Sequence, residues 1–165
     1  MLDVDALQGN IVELVALASG MPEGQIQLML GGELPEIPGP YCSVRMNTDR
    51  TVGAPSPKYR ASETEHVLDQ LIHVATEVEF SINFFRSGAM QYANNMKSAP
   101  YRWQVQRHLY QKRLGWLRFG PIHNLTSFFS GWYEERAQAN LAILIDGVDA
   151  QQVNQALHVD VIISE

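Results

Sequence analysis

Residues 131–145 alternate with little interruption. At a period of two, Tyr133, Glu135, Ala137, Ala139, Leu141, Ile143 and Ile145 share one face, and Glu134, Arg136, Gln138, Asn140, Ala142 and Leu144 share the other. The first face is mostly apolar and the second mostly polar until its end, which is the pattern of a half-buried β-strand. A strand of roughly 13 residues spans on the order of 40 Å, against the usual length of about 5–6 residues. Residues 67–85 carry a second such pattern. There Val74, Thr76, Val78, Phe80, Ile82 and Phe84 point one way, and Glu77, Glu79, Ser81 and Asn83 the other. Two strands of this length are natural antiparallel neighbours, and a chain holding both is built around one sheet.

The remaining elements are shorter. Val4, Leu7, Ile11, Leu14, Val15 and Ala18 recur at helical spacing, with Asp3 or Asp5 as an N-cap and Gly20 as the stop. Residues 25–30 predict a short strand. A Gly- and Pro-rich turn follows over residues 31–40, and residues 41–46 predict a strand returning antiparallel to the first. Residues 47–66 are polar, with Pro55 and Pro57, and form a long loop or hairpin arm suited to reaching a neighbouring subunit. Ser87 is placed to cap a helix that buries Ala89, Met90, Ala93 and Met96. Pro100 opens a further helix running to Leu114, with Gly115 at its end. That helix has two apolar stripes, one of Tyr101, Val105 and Leu109, the other of Trp103, Tyr110 and Leu114. Residues 116–122 predict a short strand and residues 123–131 a loop holding Phe128 and Phe129. A turn at Asp146-Gly147, a linker over residues 149–156 and a closing strand over residues 158–164 complete the chain. The expected fold class is α+β: one domain over residues 1–165, with a mostly antiparallel sheet of about five to six strands and two or three helices packed on it.

Charge is segregated. The net charge is -6, yet no Asp or Glu lies between Glu79 and Glu134, a gap that carries Arg86, Lys97, Arg102, Arg107, Lys112, Arg113 and Arg118. The gap is formally +7 and the remainder -13. Such a split suits a solvated surface, and equally a molecule that meets copies of itself, positive side to negative side.

The residue types that carry chemistry are scattered. Cys42 is the single cysteine, so no intramolecular disulfide forms, and its strand position suits a small buried hydrophobe. His66, His73, His108, His123 and His158 show no metal-ligand spacing. Glu134 and Glu135 are adjacent in a strand and face opposite ways, so they cannot flank one substrate. No phosphate loop, nucleophile elbow or dinucleotide fingerprint is present. The expectation is no catalytic residue, no cofactor and no metal. Apolar runs reach about five residues where a membrane helix needs about 20, and the acidic N-terminus is unlike a signal peptide. Tyr101, Arg102, Trp103, Arg107 and Tyr110 together leave a small nucleic-acid-binding module as an alternative reading.

The order of features resembles that of the tail terminator, or neck terminator, proteins of long-tailed bacteriophages. The similarity rests on residues 25–30, the Pro-rich turn into Pro40-Tyr41, residues 78–84 leading into a helix with Ala89 and Ala93, and Glu134-Glu135-Arg136-Ala137 opening a long alternating strand. It spans roughly residues 3–164. Asn140 stands where that resemblance would suggest an acidic residue, so no role is carried over to it. The resemblance implies a structural virion protein of the tail or neck, made in the host bacterial cytoplasm. It implies a homo-oligomeric, commonly hexameric ring that caps the tail tube, stops its polymerisation and joins the tail to the head connector, with DNA passing through the lumen without specific binding. In that setting Arg102, Trp103, Arg107, Tyr110, Phe128, Phe129 and Trp132 are candidate interface residues, and Glu77, Glu79 and Glu134 candidate lumen-lining residues. The implied partners are further copies of the chain, the tail tube protein and the head completion protein, and no membrane. Another tail-completion or connector component is the nearest alternative.

Overall fold

A computed structural model describes residues 4–29, 37–63, 67–129 and 132–154. Its spine is the pair β4 (Val67–Phe85) and β9 (Arg136–Asn154), both 19 residues long. They run antiparallel in one unbroken register from Val67 opposite Asn154 to Phe85 opposite Arg136. The main sheet has seven strands among the described residues, in the order β1 (Ile26–Leu28), β2 (Tyr41–Thr51), β4, β9, β5 (Leu114–Phe119). Beside that path, β3 (Ser56–Ala61) pairs with β4, and β6 (His123–Asn124) with β9. A separate two-stranded ribbon joins β7 (Ser127–Phe129) to β8 (Trp132–Glu134). The class is α+β as expected.

Three helices cover one face of one half of this sheet. In α1 (Val4–Ser19), Leu7, Ile11, Leu14, Val15 and Ala18 are buried, as their spacing predicts. Gly20 ends the helix with a φ of +82°, a left-handed conformation that glycine adopts without a Cβ clash, and its N–H donates to Ala16 O at 2.9 Å. α2 (Ala89–Ser98) buries Ala89, Ala93 and Met96; α3 (Trp103–Lys112) buries Val105, His108 and Leu109. They close over Cys42 and Val44 of β2, Val78, Phe80, Ile82 and Phe84 of β4, and Ala137, Leu141, Ile143 and Ile145 of β9, in one core. Every apolar position predicted on the odd-numbered face of β9 from Ala137 to Ile145 is buried.

Several expectations need correction. β2 runs parallel to β1, with Ile26 opposite Cys42, where an antiparallel return was expected. A connection of about a dozen residues is long enough to bring the chain back to the same end of the sheet. Asp5 lies inside α1 and so is not its cap. The cap of α2 is Gly88, in the left-handed region, and Ser87 does not cap it. The helix expected to reach Leu114 ends at Lys112, because Arg113 turns left-handed (φ 54°) and donates its N–H back to the carbonyls of Leu109 and Tyr110. Leu114 and Gly115 therefore begin β5, and Tyr101 stands apart from the buried stripe.

The alternating run is also divided differently. Residue 135 separates β8 from β9, and β9 continues through the expected turn at Asp146-Gly147 and the expected linker to Asn154. Its partner explains this: β4 presents a ladder across residues 67–75, and Gly147 sits against Val74, where an added Cβ would stand 3.4 Å from the carbonyl oxygen. Residues 123–124 and 127–129, expected as loop, are β6 and β7. In the stretch 47–66, residues up to Thr51 prolong β2, and β3 pairs with the outer half of β4, Ser56 opposite His73 and Ala61 opposite Leu68. The Asp3 cap, the turn over residues 31–36, His66, His158 and the closing strand over residues 158–164 lie outside the described residues.

Candidate assembly surfaces

The sheet face away from the helices is polar and organised around Glu77. Two β-bulges create this arrangement. Pairing shifts between Met46 and Thr48 in β2 and between Trp116 and Arg118 in β5. Each extra residue exchanges the faces of the side chains beyond it. Met46 and Trp116 pack against the core, so plain alternation would send Arg50 and Arg118 to the core side as well. The bulges turn both onto the open face instead. Arg50 meets Glu77 through Nε at 3.0 Å and Nη2 at 2.6 Å. Arg118 Nη1 meets the other Glu77 oxygen at 2.5 Å, and its Nη2 meets Glu79 at 3.0 Å. Asn140 Nδ2 donates to the remaining oxygen of Glu79 at 3.1 Å. Arg118 crosses β9 at Ala142, which is fully buried; a larger side chain there would block the path.

Glu77 is 6 % exposed. The hydrogen bonds from Arg50 and Arg118, chiefly, hold its carboxyl below the usual glutamate range, and the same contacts raise the Arg118 guanidinium. The expected lumen residues Glu77 and Glu79 thus lie on one face, with their charges matched by arginines. Glu134 is elsewhere, on the β7–β8 ribbon.

Further along this face four side chains stack. Tyr41 and Phe85 lie parallel, 4.6 Å between centroids and 9° between planes. Arg86 caps the Tyr41 ring at 5.2 Å, and Arg136 caps the Phe85 ring at 5.1 Å. Arg86 adopts a φ of 68° and donates Nη1 to Ile37 O at 2.6 Å and Gly39 O at 2.9 Å. Burial, then the nearby charge of Glu134, raises the Tyr41 hydroxyl pKa. Glu135 accepts the Gly88 N–H at 2.9 Å, placing a carboxylate at the start of α2 where the helix dipole favours it.

The candidate interface residues divide into two groups. Arg102 belongs inside the protomer. Its guanidinium bonds to Ala18 O and to Asn95 O at 2.6 Å, holding the C-terminal carbonyls of α1 against α2. Trp103 and Tyr110 are 72 % and 87 % exposed on the outer side of α3, with the exposed Arg107 between them in sequence. Phe128 is 64 % exposed on the ribbon, edge-on to Tyr133 at 5.2 Å. The backbones of Phe129 and Trp132 pair at the ribbon's outer rung. Sequence reasoning missed Tyr133, Arg50, Arg118 and the Arg86–Tyr41–Phe85–Arg136 stack. The aromatics were visible as residue types, whereas a bulge leaves no mark in an alternation count.

Nothing in the described residues gathers reactive groups. No cluster of three or more His, Cys, Asp or Glu is present among them. Cys42 is fully buried, and burial pushes its thiol pKa up, away from reactivity. His108 sits between Asn10 O at 3.2 Å and Glu13 at 3.7 Å, and His73 against Asp146 at 2.9 Å. No described helix is long and apolar enough to cross a membrane.

This geometry, a helix-backed sheet with an ion-paired open face and unburied aromatics, defines a protein whose notable features are surfaces. The profile of the phage neck terminator protein family matches residues 7–164, and the chain belongs to that family. The family is structural and places the chain in completion of the phage tail, at the neck of the virion. No curated protein matches the chain.

Proposed function

We propose that the chain forms a closed ring, a hexamer, that caps the tail tube, stops its polymerisation and joins the tail to the head connector, without catalysis. Membership of the neck terminator family across residues 7–164 carries this reading. The exposed aromatics of α3 and of the β7–β8 ribbon support it, because aromatic side chains left in water are the usual anchors of protein interfaces. Of the cations in the acid-free segment, Lys112 and Arg118 pair with acids of their own copy, and Lys97, Arg107 and Arg113, which make no ion pair among the described residues, support a head-to-tail contact with an acidic neighbour. Further copies, the tube protein and the head completion protein are the partners, and within residues 47–66 the exposed strand β3 is the part turned toward a neighbour.

DNA passes through the ring, and the open face with Glu77 and Glu79, together with Glu134, lines its path. In this role Glu77 and Glu79 act by cancelling Arg50 and Arg118, so that the wall offers no net cation to the phosphate backbone. Glu79→Gln leaves one guanidinium contact unmatched. Ejection from virions carrying it slows while ring assembly is retained; ejection at the wild-type rate sinks the lumen assignment. For the ring itself, a phage lacking this protein accumulates tails of uncontrolled length or tails without heads, seen by electron microscopy. Normal virions from that phage exclude the terminator role.

A further inference from the structure

On the open face of the sheet Arg50 and Arg118 are matched by Glu77 and Glu79. Arg45 and Arg136 share that face nearer the Phe85 end, and neither makes an ion pair among the described residues. Pairing sets Arg45 beside Ser81 and Arg136 beside Phe85, so the two stand diagonally across β4. Between them lies a cleft of about 250 Å³, with Ser43, Ser81, Asn83 and Gln138 as its floor and Met29 as one shoulder. No described residue lining it is acidic.

The floor turns donors outward. Ser81 Oγ accepts from Asn83 Nδ2 at 3.3 Å and from Gln138 Nε2 at 3.2 Å, which leaves its own O–H to donate. Asn83 Oδ1 is taken by Arg136 Nη2 at 3.2 Å. Arg45 gives only its Nε, to Asn47 Oδ1 at 3.4 Å, and keeps both Nη groups for a ligand. Glu134, whose charge reaches the Tyr41 hydroxyl, makes no ion pair with Arg86 or Arg136. A concave site with two guanidinium groups and neutral donors suits an inserted oxyanion. The rings of Tyr41 and Phe85 already carry Arg86 and Arg136, so they offer no face for a nucleobase to stack on. An acidic side chain from a protein is the occupant that fits, and it extends along this face the cancellation that Glu77 and Glu79 provide.

Residues 155–165 have that chemistry. They lie outside the described residues, carry Asp160 and Glu165, and contain no Lys or Arg. In the alternation that predicts a strand over residues 158–164, Asp160 and Ile162 share a face, which matches a guanidinium pair beside the Met29 shoulder. The cleft of the same copy is out of reach. Its nearer row joins Arg45, Ser81 and Asn140, and from Asn140 to Asn154 β9 runs about 46 Å at about 3.3 Å per residue. From Asn154 the chain extends at most about 22 Å to Asp160 and about 40 Å to Glu165. Resting on the ring reading above, we propose that residues 155–165 of one copy seat in the Arg45–Arg136 cleft of the next, with Asp160 between the two guanidinium groups. Segment and cleft belong to opposite ends of the long ladder, so the contact joins different patches, is head-to-tail, and repeats around a closed ring.

The probe is a fluorescent peptide of residues 155–165, titrated with the dilute full-length chain and read by anisotropy. The wild-type peptide binds. Asp160→Asn in the peptide and Arg45→Glu in the chain each weaken binding by about tenfold, the scale of one charge-assisted contact. An Asp160→Lys peptide binds the Arg45→Glu chain more tightly than the wild-type peptide does. Arg45 is exposed, so its variant keeps the fold, which far-UV circular dichroism confirms. No binding of the wild-type peptide, equal binding of the Asp160→Asn peptide, or no loss in the Arg45→Glu chain overturns the seating. Tighter peptide binding by a Glu33→Gln/Glu36→Gln chain overturns it too, by giving the cleft to the turn that follows Met29. A duplex oligonucleotide that binds the wild type and not the Arg45→Glu chain overturns it by giving the cleft to phosphate. The ring is read separately, as a closed assembly of the wild-type chain alone or on purified tail tubes, by mass photometry and electron microscopy. Peptide binding without that assembly overturns the ring and keeps the seating as a contact between copies.

Discussion

The β4–β9 pair is one ladder with two halves. Over residues 76–85 and 136–145 it carries α1, α2 and α3 on one face, and β2 and β5 along its edges. Phe80, Ile82, Phe84, Leu141 and Ile143 are fully buried there. Over residues 67–75 and 146–154 the same two strands keep the same register, yet none of the described residues is buried. There β3 flanks β4, and all six of its residues are exposed. The β4–β9 ladder thus continues through both halves, and what differs is cover and, along β9, the flanking strands β5 and β6, which among the described residues pair only within 137–145. The outer half is held by its ladder and by surface contacts such as Arg60 to Asp69 at 3.1 Å and His73 to Asp146 at 2.9 Å. A sheet open on both faces contributes little apolar burial, so it is the part of the fold best suited to gain cover from another molecule.

The sharpest test of this contrast is a pair of truncations. Phe80→Ala removes a fully buried ring from the covered half and lowers unfolding free energy by about 3–5 kcal/mol in denaturant titration. Leu71→Ala in the outer half lowers it by roughly 1 kcal/mol or less, since that side chain is only half-buried. Equal losses would mean that the outer half is covered in the isolated chain.

Glu77 marks the junction, and its chemistry gives a pH test. Its carboxyl titrates lower in the folded chain than in the unfolded one. The stability it contributes is therefore complete above the unfolded value, about 4.3, and is lost as pH falls through the lower folded value. Glu77→Gln lowers stability at neutral pH and flattens the loss below about pH 4 in acid titrations followed by circular dichroism. An unchanged acid limb would show that Arg50 and Arg118 do not act on this carboxylate in solution. The smallest effect belongs to the outer half. Asp146→Asn removes the exposed contact to His73 and changes stability by about 0.5 kcal/mol or less. A larger loss in any assembly of the chain than in the free chain would place the outer half at a contact between copies.

Much of this molecule was open to reading in advance because side-chain period is local. The face assignment of β4 from Val74 to Phe84, the buried stripe of α1 and the antiparallel pairing of the two long strands all follow from spacing alone. The terminator family was legible from the order of these elements. What stayed hidden depends on partners distant in the chain. Ser87 looks like a cap until Glu135 arrives from 47 positions away to bond Gly88 instead. Asp146-Gly147 looks like a turn until β4 offers it a ladder. Arg102 looks like an interface residue until the carbonyls of α1 close on it.

By itself the sequence determined which residues are apolar and at what period, and hence an α+β chain on two long strands, with basic and acidic charge kept apart. Only the tertiary structure decided where alternation breaks. Two single-residue bulges turn Arg50 and Arg118 onto the face of Glu77, and the helices cover half of the ladder and leave the other half open. Register and cover are properties of pairs of segments, set by which surfaces meet, so no local pattern can contain them.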